Sequence, residues 1–256
     1  MLSIKKGKVG YMTVKIDLEI AYDRLEWSFV RDTLALFNIP PLLSKVVLSS
    51  ILTCSMKVLF NGGTLESFTP SRGIRQGNPL SPYIFIMCME VLGFFIKDKC
   101  DVKLWDLVKK SRGGLTVSHL FFADDLVLFA EADMKNCISM LDALEGFCGI
   151  SGQKISKEKS RVYFSPNMDG NKRDEICEVL GIQSKPKLGK YLGFSLKQPG
   201  SSSKDFDFVV ERVQSKLADW KGHLLSFAGK VVLAHSVLTT ILAYVMQSTL
   251  LPYQTM

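Results

Sequence analysis

The chain has 256 residues, of which 47% are hydrophobic and 22% are charged, and its formal net charge is +7 at pH 7. This length is sufficient for one large domain or two modest ones, and the composition excludes an intrinsically disordered chain. The positive charge favours nucleic acid or another polyanion as a partner, although many basic proteins bind no nucleic acid.

The first segments of the chain predict a strand followed by a helix. Residues 12–18 (MTVKIDL) are β-branched and apolar, which is typical of a short strand, and this strand ends at Asp17. Residues 19–37 place apolar side chains at helical spacing and predict one helix, which stops before Pro40-Pro41.

The next segments predict a hairpin and a long helix. Residues 55–71 indicate two short strands with Asn61-Gly62-Gly63 at the turn between them. Pro79 and Pro82 then open a helix over 80–99, because proline is favoured in the first turn of a helix.

The remainder predicts strands around two aspartates and then mostly helix. Residues 115–131 indicate two short strands that meet at the aspartates, and 160–165 indicate a further strand. The helix between them is predicted from a stripe of apolar residues: Met134, Ile138, Leu141, Leu144 and Cys148. Beyond a plausible linker at 199–204, the chain predicts helices, the first over 206–220 with apolar residues at Phe206, Val210, Val213, Leu217 and Trp220.

Cysteine usage and the chain ends give expectations about compartment. The six cysteines form no CxxC pair and no zinc spacing, which predicts free thiols in a reducing compartment. The first twelve residues contain no apolar core of a signal peptide, so we expect an intracellular, non-secreted protein; the short basic run 5–8 leaves a nuclear location undetermined. Residues 231–251 could span a bilayer by length, but His235, Gln247 and five Ser/Thr residues favour a packed soluble helix and no membrane contact.

Asp124 and Asp125 are adjacent acids in an otherwise apolar run, where an unpaired buried carboxylate is costly. Successive side chains of a strand face opposite sides, so two adjacent acids share a site only where the backbone turns. Taken singly, Asp17 is better interpreted as a helix cap and Asp124-Asp125 as a polar turn. Taken together, acids at neighbouring strand ends predict a site for Mg²⁺, which takes one or two carboxylates and binds substrate phosphates. The hypothesis requires Asp17 to lie beside the hairpin tip at 124–125, although Asp17 and Asp124 are 107 positions apart in the sequence (124 − 17).

Five segments of the chain resemble successive motifs of reverse transcriptases, in the order in which that family has them. They are KIDLEIAYDRLEW (15–27), GIRQGNPLSPYIF (73–85), HLFFADDLVLF (119–129), SGQKISKEKS (151–160) and KYLGF (190–194). The resemblance covers roughly residues 12–252 and is closest to plant LINE-type, non-LTR retrotransposons. It implies an α+β fold with a polymerase-type palm, an antiparallel sheet backed by helices, over 1–198, and a helical thumb-like segment over 199–256.

The resemblance also implies an activity and a set of catalytic residues. The implied reaction is RNA-directed DNA synthesis, in which dNTPs are added to the 3′ hydroxyl of a DNA primer on an RNA template with two Mg²⁺ ions. Asp17, Asp124 and Asp125 match the family's catalytic aspartates. The metals are implied to be held by Asp17 and Asp124 with a backbone oxygen of Leu18, while Asp125 gives nearby support.

Nucleotide contacts are implied at two further motifs. Tyr22 matches the aromatic residue that lies under the sugar and excludes a ribose 2′-OH; without its neighbour Asp17, a core tyrosine would be the better interpretation. Arg75, Gln76 and Gly77 match the loop that contacts nucleotide and template, although from the residues alone this is equally a glycine-rich turn.

Two later motifs carry less specific implications. Lys154 and Lys159 lie in the motif thought to hold a lysine that protonates pyrophosphate, and a solvated charged face is at least as good an interpretation of both. Tyr191, Leu192 and Gly193 match a hairpin that grips the primer end.

One departure from the family affects the expected activity. Only sixteen residues precede Asp17, where relatives have a fingers region with basic side chains for the triphosphate and the template. We therefore expect a palm and partial thumb without most of the fingers, whose activity depends on the missing parts of a parent retroelement protein. The alternative is a truncated, inactive remnant that at most binds nucleic acid. A metal-independent RNA-binding module is disfavoured, because the basic segments have little aromatic interleaving.

Overall fold

A computed structural model describes residues 9–109, 114–186, 190–191, 194–195, 207–217 and 225–246. The chain divides into two compact units, residues 1–186 and residues 187–256. The predicted boundary between residues 198 and 199 lies outside the described residues.

The secondary structure is a mixture of helices and antiparallel strands, as predicted. The strands are β1 (Tyr11–Ile16), β2 (Leu59–Phe60), β3 (Gly63–Thr64), β4 (Val108–Lys109), β5 (Thr116–Val117), β6 (His119–Phe122), β7 (Asp125–Glu131), β8 (Arg161–Phe164), β9 (Lys190–Tyr191) and β10 (Phe194–Ser195). The helices are α1 (Ala21–Arg24), α2 (Trp27–Leu36), α3 (Pro41–Leu52), α4 (Ser81–Asp101), α5 (Met134–Ser151), α6 (Gly170–Leu180), α7 (Asp207–Leu217), α8 (Phe227–Leu233) and α9 (Thr239–Met246), with a π-helical segment (Ala234–Leu238) between the last two.

The first unit is built on a four-stranded antiparallel sheet in the order β6-β7-β1-β8. Side chains alternate between the two faces of a strand, so Met12, Val14 and Ile16 of β1 share one face and are buried. Their partners on β7 are equally buried, and the same hydrophobic core includes side chains of α2, α4 and α5. The sheet is therefore backed by helices, and its two central strands carry the candidate acids.

The prediction of one continuous helix over 19–37 is wrong, because the chain forms α1 and α2 with a break between them. At the break Leu25 is extended, with φ −63° and ψ 119°. The carbonyl of Leu25 accepts a hydrogen bond from the Gly73 amide, and the amide of Glu26 donates to the Ser151 carbonyl. Backbone groups that would continue the helix are thus used by two distant segments.

The predicted hairpin and α5 are present, with one correction to each. β2 and β3 pair through Phe60 and Gly63, so the turn is Asn61-Gly62. In α5 the predicted apolar stripe is displaced, since Ile138 is 49% exposed. The buried face of α5 is instead centred on Leu144 of the predicted stripe and three other side chains, Cys137, Met140 and Phe147.

The second unit contains the β9–β10 hairpin and helices, as the sequence predicts for the tail. In α7 the buried valine is Val209, and the predicted Val210 is 41% exposed. None of the described helices is both long and apolar enough to cross a bilayer. All six cysteines are free thiols, as predicted.

Candidate active site

The register of β1 against β7 brings Asp17 beside the Asp124-Asp125 hairpin. The last paired residues are Ile16 and Leu126, and the next residue outward is Asp17 on one strand and Asp125 on the other. Asp124 lies in the two-residue turn that joins β6 to β7, since Phe122 pairs with Asp125. Long-range strand pairing therefore gathers the three acids at one end of the two central strands.

The three acids have different environments. Asp125 is half-buried, and its Oδ1 lies 3.0 Å from Nζ of Lys15. Asp17 is also half-buried, whereas Asp124 is exposed in the turn. Within the described residues, no lysine, arginine or histidine lies within 4.0 Å of a carboxylate oxygen of Asp17 or Asp124. Two of the three carboxylates thus have no cationic partner in the part of the chain that the structure describes.

The backbone around Asp17 is fixed by the segment 151–160, which crosses the end of β1. The Ser156 amide donates to the Asp17 carbonyl (2.9 Å), and the Asp17 amide donates to Oγ of Ser160 (3.0 Å). On the other side of Leu18, the Glu19 amide donates to the Lys154 carbonyl (2.8 Å). This crossing uses the carbonyl of Asp17 and leaves the Leu18 carbonyl directed away from it.

The donor types at this strand end suit Mg²⁺, although the oxygens of the three described acids do not all lie within 4.8 Å of one another. The strand end offers the carboxylates of Asp17 and Asp124 and the backbone oxygen of Leu18, which are hard oxygen ligands of the kind that Mg²⁺ prefers. Both carboxylates lack a protein cation among the described residues. Asp125 differs, because one of its oxygens already contacts an ammonium group.

Tyr22 lies close to these acids. Burial raises the pKa of its hydroxyl, and the negative charge of Asp124 raises it further. The ring of Tyr22 stacks on Phe85 of α4, with centroids 4.8 Å apart and planes inclined by 12°. Ile20, with φ 42°, turns the chain between Asp17 and this ring. Tyr22 is therefore a rigidly supported aromatic surface next to the candidate metal ligands.

The loop 73–77 is anchored to the short helix α1, which carries Tyr22, and to Leu25 directly after it. The Gly73 amide donates to the Leu25 carbonyl (2.8 Å), and the Ile74 amide donates to the Tyr22 carbonyl (2.8 Å). Nε1 of Trp27 donates to the Gly73 carbonyl (2.7 Å), an anchor that the sequence analysis did not identify.

The predicted contact residues follow this anchor. Arg75, Gln76 and Gly77 are all exposed, so each is accessible to a bound nucleotide or template. Arg75 and Gln76 also line a cavity of about 390 Å³.

The two candidate lysines differ in their partners. Nζ of Lys154 lies 3.3 Å from Oε2 of Glu19. Lys159 is exposed and makes no ion pair with any residue that the structure describes. Lys159 is consequently the better candidate for a contact to pyrophosphate.

The predicted primer-grip residues belong to the second unit. Tyr191 ends β9 and pairs with Phe194 of β10, so residues 190–191 and 194–195 form an antiparallel pair of strands. Leu192 and Gly193, as well as the side chain of Tyr191, lie outside the described residues.

A second acidic cluster lies at the other end of β7. Asp106, Glu131 and Asp133 bring one carboxylate oxygen each within 4.8 Å of one another, and the described residues contain no other such group of three. Nζ of Lys135 contacts Asp106 at 2.8 Å, and the Asn136 amide group donates to Asp106 and Asp133. Burial raises the pKa of Glu131, and the charges of Asp106 and Asp133 add to this effect. The sequence analysis did not identify this cluster, in which Asp106 and Asp133 already have local partners.

The amino-acid sequence matches the family described as "Reverse transcriptase (RNA-dependent DNA polymerase)" over residues 2–196. A retrovirus-related Pol polyprotein of the type-2 retrotransposable element R2DM from Drosophila melanogaster is 30% identical over 169 residues, which is 66% of this chain and 15% of the polyprotein. The uncharacterized 149 kDa protein of transposon TX1 from Xenopus laevis is 24% identical over 236 residues, 90% of this chain and 17% of that protein. An uncharacterized mitochondrial protein of Arabidopsis thaliana is 42% identical over 74 residues, 28% of this chain and 61% of that protein.

The fold is similar to that of solved telomerases. Telomerase from Candida tropicalis in complex with a fragment of telomeric RNA superposes with a TM-score of 0.52 at 14% identity, over 96% of this chain and 40% of the telomerase. The corresponding Candida albicans complex gives a TM-score of 0.50 at 16% identity, over 93% of this chain and 38% of that one. These similarities establish a polymerase-type fold.

Proposed function

The chain belongs to the reverse transcriptase family, as a reverse transcriptase domain of a non-LTR retrotransposon, and from this premise we propose that it catalyses RNA-directed DNA synthesis with two Mg²⁺ ions. The observation that carries the proposal is the β1–β7 register, which sets Asp17 beside the hairpin tip. The chain spans only 15% and 17% of the fly and frog relatives, so the activities of those whole proteins are not transferred to it.

The proposed metal ligands are Asp17, Asp124 and the carbonyl oxygen of Leu18. The backbone of Asp17 is held by two hydrogen bonds to the segment 151–160: its amide donates to Oγ of Ser160, and its carbonyl accepts from the Ser156 amide. The proposed ligands would hold Mg²⁺, which would supply activation of the primer 3′ hydroxyl and compensation of the charge on the triphosphate and the leaving pyrophosphate. Asp125 supports the site through Lys15 and is not assigned as a ligand.

The remaining candidates would bind and orient the substrates. Tyr22 would lie under the sugar of the incoming dNTP, and its stacking on Phe85 would prevent the ring from yielding to a 2′-OH. Arg75, Gln76 and Gly77 would contact nucleotide and template, and Lys159 would supply a cation and a proton to pyrophosphate.

The proposed partners are an RNA template, a DNA primer and dNTPs. The Candida telomerases of similar fold were solved with RNA, which supports the first of these. We assign the catalytic palm to 1–198 and a thumb-like segment to 199–256, with the primer grip at Tyr191, Leu192 and Gly193. An intracellular location follows from these substrates, and the match to an Arabidopsis protein supports a plant origin.

Primer extension on an RNA template tests the proposal directly. We expect extension by the wild-type chain with MgCl₂, and none with EDTA or with Asp124→Asn. If the folded wild-type chain binds the primer–template but adds no nucleotide with Mg²⁺ or Mn²⁺, the polymerase assignment is wrong. The chain is then an inactive remnant that only binds nucleic acid.

A further inference from the structure

Lys15 is a basic side chain among the candidate catalytic acids, and the proposed function does not require it. Lys15 lies on β1 and Asp17 directly follows its last residue, two positions further on, so the alternation of the strand directs both side chains to the same side of the sheet. Lys15 pairs with Val127 of β7, two residues from Asp125. This diagonal relation lets Nζ of Lys15 reach Oδ1 of Asp125 at 3.0 Å.

The surroundings direct Lys15 towards Asp125. On its other side Lys15 pairs with Arg161 of β8, whose guanidinium contacts the carbonyls of Glu158 and Ser160. A positive charge therefore lies on one flank of Lys15 and the acids lie on the other. The side chains of Lys15 and Asp125 are 29% and 35% exposed, so their ion pair is less screened by water than a fully exposed pair.

The ion pair divides the three acids into two classes. Asp125 has a cationic partner, whereas Asp17 and Asp124 have none within ion-pair distance among the described residues. We propose that Lys15 is a positioning residue that holds Asp125 out of metal coordination and so sets the cation preference of the site. This inference rests on the proposed function and adds a selectivity determinant to it.

The preference follows from the number of carboxylates that can reach the cation. Mg²⁺ is bound through one or two carboxylates and keeps several waters, whereas Ca²⁺ takes six to eight oxygen ligands in flexible geometry. With Lys15 present, two carboxylates are available and Mg²⁺ is suited to the site. Without Lys15, Asp125 becomes a third carboxylate donor beside the Leu18 carbonyl oxygen, which favours the larger cation.

The experiment compares cation binding by Lys15→Met with that of the wild type and of Lys15→Arg. Lys15→Met keeps a long side chain and removes the charge, and Lys15→Arg keeps the charge. Midpoints for MgCl₂ and CaCl₂ are read from thermal-shift titrations, which do not require polymerase activity. We expect Lys15→Met to shift the ratio of the two midpoints towards Ca²⁺ by at least about twofold, as for other directly contacting pairs. Lys15→Arg should resemble the wild type.

A double-mutant cycle with Asp125→Asn separates ligand release from a simple change in charge. Loss of the Lys15 charge strengthens the binding of any cation in both backgrounds, but only the background with Asp125 can release a carboxylate. We therefore expect the shift in the Ca²⁺/Mg²⁺ ratio to vanish when Lys15→Met is combined with Asp125→Asn. An equal shift in both backgrounds, or none in either, would overturn the inference.

Failure of the proposed function gives a different result. In that case the wild-type chain shows no saturable Mg²⁺ shift, or Asp17→Asn and Asp124→Asn do not reduce it. A normal wild-type titration that is lost in those two variants, with an unchanged ratio in Lys15→Met, rejects the role of Lys15 alone.

Discussion

Replacing Gly73 by alanine should destabilise the chain, because this glycine anchors the candidate nucleotide loop to α1. Gly73 has φ +84°, and a Cβ at this position would lie 2.7 Å from the carbonyl oxygen of Asp23 and 2.9 Å from its Cα. Those atoms belong to the backbone, so the contact cannot be relieved by rotating a side chain. The loop itself must move.

The expected loss has two parts. An L-residue in the left-handed region costs about 1–2 kcal/mol relative to glycine. Moving the loop also weakens the hydrogen bonds from Trp27 Nε1 to the Gly73 carbonyl and from the Gly73 amide to Leu25. An unsatisfied, partly buried group costs about 1–3 kcal/mol. We therefore expect Gly73→Ala to lower the free energy of unfolding by roughly 2–5 kcal/mol.

Gly77 provides the matched control in the same loop. Its φ is +86°, but no atom lies within 4 Å of the position that a Cβ would take, so Gly77→Ala carries only the conformational cost. Urea denaturation followed by tryptophan fluorescence measures both variants, since Trp27 reports on the anchor. Equal losses in the two variants would refute the reasoning, as they would show that the close approach to Asp23 is relieved without cost.

Four other outcomes are expected. Tyr22→Ala should relax discrimination against ribonucleotides, because the ring next to Asp124 no longer blocks a 2′-OH; unchanged dNTP/rNTP selectivity would make Tyr22 an ordinary core residue. Asp124→Asn should abolish polymerisation while the free energy of unfolding stays equal or rises slightly, because a like charge is removed from the strand end; retained extension would exclude Asp124 as a metal ligand. Ile20→Asn should raise the free energy of unfolding by about 1 kcal/mol, since Ile20 has φ 42° and is 63% exposed, and asparagine tolerates the left-handed region of backbone conformation. A lower free energy of unfolding in urea denaturation would contradict this. RNA affinity should fall steeply with NaCl concentration and depend little on sequence, and a flat response in filter binding would exclude contacts to phosphates.

The elements that could be predicted are those with a strong local signal. β1, β8 and the strands flanking Asp124 have short apolar runs, and the long helix α4 has Pro82 in its first turn. The Asn61-Gly62 turn has the residues that positive φ requires, and both have it, at 48° and 80°. These features depend on neighbours in sequence, so the sequence alone is sufficient.

The elements that were missed or wrongly bounded depend on distant contacts. The break at Leu25 is made by bonds to Gly73 and Ser151, which no local pattern around residue 25 indicates. α3 was not predicted, although Pro41 at its start is a usable signal. The apolar side chains of α3 include the highly exposed Leu42 and Val46, so they form no clear buried stripe. α6 is mostly polar and was missed for the same reason.

The site shows the same division between local and distant information. The hairpin that carries Asp124 and Asp125 was predictable from the turn between apolar arms, and its proximity to Asp17 was expected from the motifs. The anchor of Trp27 on Gly73 joins residues 46 positions apart, and the ion pair of Lys15 with Asp125 requires the β1–β7 register. Neither contact has a signature in the sequence, because each is set by tertiary packing.

The structure also changes the explanation for two adjacent acids in an apolar run. The sequence suggested that a metal compensates both charges, but the hairpin places the two carboxylates in different environments. Ala123, with φ 52°, forms the turn that leaves Asp124 exposed to water, while Asp125 begins β7 and contacts Lys15. A carboxylate exposed to water and one paired with an ammonium group both avoid the cost of an isolated buried charge. A cation at this strand end is therefore required by the proposed chemistry and not by the fold.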